Sequence, residues 1–123
     1  MRCELNYFEH IKKSPRALHY ILDADGNPVP EDDILAWAKW RQNPRNIILK
    51  RTDLPGGVIV STVFLGIDHA FHFFGDPRPV LWETMIFEGE HDDWQDRYHT
   101  KEEALLGHEH AVKIATGECE DEP

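Results

Sequence analysis

The sequence predicts an α+β fold: an antiparallel sheet of three to five strands with two main helices. Three observations carry that expectation. "NIILKRTDLPGGVIVSTVFLG" places two β-branched runs on either side of a Pro-Gly-Gly turn. "PEDDILAWAKWRQNPR" and "TKEEALLGHEHAVKIATG" carry the start and stop signals of helices. No internal repeat or linker divides the 123 residues, so one α+β domain is expected over residues 1–116.

Residues 1–17 scatter Leu5, Tyr7, Phe8 and Ile11 ahead of "KKSP" and suit a short helix or an irregular arm equally. Residues 18–22 then read as a strand entering a turn at Asp25-Gly26-Asn27-Pro28. Glycine permits positive φ there, and the prolines at 28 and 30 are expected to prevent a regular continuation. In the first helix, acidic residues are expected to fill the first turn and complement the helix dipole. Ile34, Leu35, Trp37 and Ala38 form its apolar stripe, and Asn43-Pro44 ends it.

The hairpin turns at Leu54-Pro55-Gly56-Gly57, and residues 80–87 supply a further strand. Val80, Trp82, Thr84 and Ile86 line one face of that strand, and Leu81, Glu83, Met85 and Phe87 the other. Both faces have apolar side chains to hide. Either elements of this chain cover both, or another chain closes one. "EGEHDDWQD" reads as a loop and "DRYHT" as a short edge strand. The last helix opens on Thr100 and Glu103, which match a capping box. Ala104, Leu105, His108, Ala111, Val112 and Ala115 share one of its faces, and Gly117 stops it before an acidic, flexible tail at 117–123.

Charge narrows the function classes. Thirteen Lys and Arg oppose 23 Asp and Glu, a net charge of −10. The first 60 residues hold 9 basic and 8 acidic side chains, the remainder 4 and 15, so the excess lies wholly in the second half. Such a surface repels phosphate backbones, so direct nucleic-acid binding is not expected. It attracts a basic protein partner, or it serves only to keep the chain soluble. No run of about 18 apolar residues could span a membrane, and the N-terminus lacks the apolar core of a secretory signal. Cys3 and Cys119 are most simply reduced thiols, which points to the cytoplasm.

Phosphate-binding glycine loops, dinucleotide fingerprints, GxSxG, HExxH and CxxC are all absent, and no cofactor is expected. His108 sits within an apolar stripe and must find a hydrogen-bond partner. Glu83 meets the same demand between Leu81 and Met85, so a buried Glu83–His108 pair is expected if the last helix covers that face. His110 falls on the polar side of the helix. In "GIDHAFHFFG", Asp68, His69 and His72 are weak candidate metal ligands, and Asp68, His69, Glu83 and His108 are the candidates for a small metal-dependent or His/Glu hydrolase. The alternative is structural: Asp68 caps the turn and the histidines bond to backbone. Phe71, Phe73 and Phe74 either fold back over the sheet or present an anchor surface. Glu88, Glu90, Asp92, Asp93 and Asp96 surround Trp94 without EF-hand spacing. They form a solvated acidic loop, or a docking patch with Trp94 as its anchor.

"HYILDADGNPVP", "VSTVFLGIDH", "WETMIFEG" and "RYHTKEEALLGH" together resemble a family of small uncharacterised phage and prophage proteins, over about residues 19–112. The connector "AFHFFGDPRP" departs from the family pattern, which is shorter and richer in glycine. The family has no established activity, so the resemblance transfers no catalytic residue. What it implies is a viral or prophage setting in the cytoplasm of a host cell. Three functional expectations follow. The first is an acidic protein acting by protein–protein contact, with Phe71, Phe73, Phe74 and the acidic turn as its surface, in one version inhibiting a basic nucleic-acid-binding host defence protein. The second is the small hydrolase, and the third a homodimeric accessory protein closing a sheet face on its twin.

Overall fold

Runs rich in β-branched and aromatic residues within 48–64 and 82–98 build the frame. In a computed structural model, described over residues 18–69 and 77–119, these segments form four antiparallel strands in sequence order. They are β3 (Ile48–Asp53), β4 (Ile59–Phe64), β5 (Trp82–Phe87) and β6 (Gln95–Tyr98). Ahead of them come β1 (Tyr20–Leu22), β2 (Pro28–Pro30), α1 (Ile34–Arg41) and the short α2 (Pro44–Ile47). The chain closes with α3 (Lys101–Ala115). The fold is therefore α+β, with a two-stranded and a four-stranded antiparallel sheet. The proposed arm at 1–17, Phe71, His72, Phe73, Phe74 and the end of the acidic tail lie outside the described residues.

Prolines 28 and 30 do not break the first hairpin, contrary to expectation: β2 pairs with β1 as Tyr20↔Pro30, Ile21↔Val29 and Leu22↔Pro28. Asp23 N–H bonds to Asn27 C=O and Glu31 N–H to His19 C=O, so both prolines fall at positions that donate nothing across the pair. The acidic first turn of α1 is also corrected. Asp33 precedes the helix as its N-cap, and its carboxylate accepts from the N–H groups of Leu35 and Ala36. The packed side of α1 is Trp37, Trp40 and Arg41, while Leu35 is 82% exposed. Trp37 Nε1 donates to Gly66 C=O at 2.9 Å, Arg41 Nε donates to Leu65 C=O at 2.7 Å, and Trp40 meets Phe64 edge to face. Gly66, at φ +76°, lets this happen: a Cβ there would stand 3.2 Å from Trp37 Nε1 and 3.3 Å from Tyr20 O.

The 3₁₀ turn Pro55–Gly57 joins β3 to β4, with Gly56 and Gly57 both at positive φ, as the Pro-Gly-Gly signal predicts. Thr100 and Glu103 complete the capping box of α3, and Gly117, at φ +81°, ends it. The helix packs across the sheet face that carries Val60, Thr62, Phe64, Trp82, Thr84 and Ile86, burying Ala104, His108, Ala111 and Ile114. Leu105, expected on that stripe, is 38% exposed and Ile114 takes its place. One apolar cluster joins Phe64, Leu81, Trp82, Tyr98 and Ala104; a second joins Val60, Ile86, Ala111 and Ile114.

Candidate functional site

Between the two apolar clusters runs a buried polar chain. Thr84 and Thr62 stand opposite each other on β5 and β4, with their hydroxyl oxygens 2.6 Å apart. Thr62 Oγ1 lies 2.7 Å from His108 Nδ1, and His108 Nε2 lies 2.8 Å from Thr52 Oγ1 on β3. The ring is fully buried, so desolvation holds its pKa below the usual histidine value; the Lys50 ammonium adds to this and Glu109 opposes it. A neutral ring donates through one nitrogen and accepts through the other, and the hydroxyls can rotate to complete the chain in either direction. His108 thus finds the partners its apolar stripe demands, and they are threonines. With no exposed ring atom, it has no path to a substrate.

The expected Glu83–His108 pair is absent because α3 covers the other face of β5. Glu83 points away from the helix, where its Oε2 accepts from Arg97 Nε at 2.8 Å across the β5–β6 pair. Asp68 acts as a connector clamp. Its Oδ1 accepts from Val80 N–H at 3.0 Å, its own N–H bonds to Leu18 C=O, and His69 N–H bonds to Val80 C=O. Among the described residues no group of three or more His, Cys, Asp and Glu side chains is placed to hold a metal ion. Asp68, His69, Glu83 and His108 therefore share no centre for the hydrolase reading.

The acidic turn between β5 and β6 has a defined backbone. Glu88 and Asp93 adopt φ of 70° and 76°, in the left-handed region that non-glycine residues seldom enter. Asp92 Oδ1 accepts from Glu88 N–H at 2.7 Å, and Ile86 exchanges backbone hydrogen bonds with Asp93 and Trp94. Trp94 is half-buried, packed on the second cluster with its ring centroid 6.3 Å from that of His110. It ties the turn to the helix and keeps only part of its ring outside. Glu88, Glu90, Asp92, Asp93 and Asp96 are exposed. Ion pairs among the described residues are Lys50–Glu109, Arg51–Asp53 and Arg97–Glu83, none of which neutralises the turn. Phe87, 42% exposed, adjoins it.

Sequence reasoning picked out His108 but missed Thr52, Thr62 and Thr84. A usable signal existed in "VSTVF" and "WETMI", where a threonine falls on the alternating apolar face. Tyr98, buried beside Gly107, was also missed. Burial pushes its phenol above the usual tyrosine range; nearby Thr84 works against that rise, and Asp96 adds to it. Thr84 nevertheless does not meet hydrogen-bond geometry with Tyr98 Oη. No helix among the described residues is long and apolar enough to cross a membrane. Compared with known proteins, the chain matches no family model, no curated protein and no solved structure.

Proposed function

We propose that this protein works by protein–protein contact, offering the β5–β6 turn to a basic surface. One observation carries the reading: four exposed carboxylates on a braced turn, and a fifth, Asp96, on the adjoining β6, form no ion pair with Lys or Arg among the described residues and stand next to a partly exposed phenylalanine. Unneutralised charge steers an oppositely charged partner, and a preformed turn loses little entropy on docking. In the phage or prophage setting that the sequence resemblance implies, a nucleic-acid-binding host protein is a fitting partner, since the carboxylates would compete with phosphates for its basic site. The test is binding to a purified basic host protein, followed over increasing salt and in competition with its nucleic acid. Glu90→Lys with Asp96→Lys should slow association most, while Asp92 is left intact because it braces the turn. Binding indifferent to both ionic strength and these reversals refutes the proposal.

A second reading rests on the sheet face turned away from α3. It carries Ile48 and Phe87, each 42% exposed, with Ile59, Val63 and Met85 half-buried between them. A second copy could close this face, and light scattering on the purified chain decides: a strictly monomeric mass at high concentration removes this reading.

A further inference from the structure

The sheet has two faces, and α3 covers one of them. Across the other, Ile48 stands opposite Val63, Ser61 opposite Met85, and Ile59 opposite Phe87. Ile48 and Phe87 are each 42% exposed, which leaves apolar area at both ends of this face. Glu83 lies on the same face and is only 8% exposed, although α3 packs on the opposite side. Its partner among the described residues is Arg97, whose own side chain is 42% exposed. A carboxylate so shielded at mid-strand requires a cover over this face. The chain enters the described structure nearby: Leu18 C=O accepts from Asp68 N–H and Tyr20 N–H donates to Gly66 C=O, just beyond the Phe64 end of β4.

We propose that residues 1–17 of this same chain are the cover, docking along the open face as an amphipathic helix. Leu5, Phe8 and Ile11 recur every third residue and so share one helical side, and Pro15 ends the helix because it disfavours that conformation at Ser14. The reach suffices: residues 14–18, extended, span about 16 Å, which is the distance from Asp68 back to Val63 along the strand direction. A helix over residues 1–13 adds about 20 Å, more than the roughly 13 Å from Val63 to Ile59. Ile11 then meets Ile48 and Val63, Phe8 meets Met85, and Leu5 meets Ile59 and Phe87. Charge favours the same arrangement. Residues 1–17 hold four basic and two acidic side chains, while the remainder hold 9 and 21. This occupant and a second copy are alternatives for one face, and neither bears on the acidic-turn reading.

Cys3 allows a direct test on the full chain. A nitroxide is attached to Cys3 in a Cys119→Ser, ¹⁵N-labelled background, with the ascorbate-reduced label as reference. The amide signals of Ile59, Met85 and Phe87 should lose most of their intensity, while those of Glu102 and Leu106 on the exposed side of α3 keep theirs. Leu5→Asp with Phe8→Asp should restore the lost signals. A second sample mixes spin-labelled unenriched chain with unlabelled ¹⁵N chain, and it should show no loss on the open face. Loss in that mixture assigns the face to a second copy and overturns the proposal, as does an equal effect on α3 and the open face, or none at all. If Cys119→Ser fails to fold, the unmodified chain decides: contacts between the Phe8 ring and the Met85 methyl should appear in its nuclear Overhauser spectrum, and their absence overturns the proposal.

Discussion

Replacing Gly107 with alanine sets two rules against each other, and the structure decides between them. In an exposed helix interior, Gly→Ala stabilises by about 1 kcal/mol, because alanine loses less backbone entropy. Here the added Cβ would stand 2.1 Å from Tyr98 Oη, 2.2 Å from Cζ and 2.4 Å from Cε1. Ordinary contact begins near 3.4 Å, so the ring must retreat by more than an ångström. It has little room, since Tyr98 is 8% exposed and packed among Phe64, Leu81, Trp82 and Ala104. Overpacking of this kind costs about 1–3 kcal/mol, and three crowded ring atoms place this case at the upper end. After the helix gain, a net loss of about 1–2 kcal/mol remains. Urea unfolding should show it as a midpoint lower by on the order of 1 M at unchanged slope. In a Tyr98→Ala background the obstacle is gone, and the same substitution should turn neutral or stabilising. A Gly107→Ala midpoint at or above that of the parent chain refutes the packing argument.

Two further outcomes follow from the same contacts. His108 has a depressed pKa in the folded chain and an ordinary one, about 6.5, when unfolded, so the unfolded state binds the extra proton more readily. Its contribution to stability is complete above about pH 6.5 and falls as pH drops toward the folded value. His108→Gln should flatten that part of the stability–pH curve, and identical slopes in parent and variant would contradict a buried neutral ring. Thr100→Ala removes the bond from Glu103 N–H to Thr100 Oγ1 and should cost about 1 kcal/mol by urea unfolding, with Glu103→Gln costing less because the amide oxygen still reaches back.

The turn between β3 and β4 and the two ends of α3 were legible because their signals are local. Pro55-Gly56-Gly57, Thr100 with Glu103, and Gly117 each solve a backbone problem within a few residues, and each reappears in the fold in that role. Errors arose where a side chain had to choose between faces. Both sides of β5 read as apolar, so nothing within the strand told α3 to cover Trp82, Thr84 and Ile86 rather than Glu83 and Met85. The choice depends on summed burial across the sheet: Val60, Phe64 and Tyr98 add their area to one side only. Prolines 28 and 30 were misread for a related reason. Whether a missing N–H matters depends on the register with a partner strand.

The order and chemistry of the amino acids alone determined the α+β class, the turn positions, the caps of α3, and the gathering of negative charge in the second half, since these depend on neighbours along the chain. Tertiary packing decided that His108 answers to Thr52 and Thr62, that Glu83 answers to Arg97, and that Gly107 admits Tyr98. Those partners lie far apart in sequence, and only the burial of one sheet face under one helix brings them within bonding distance.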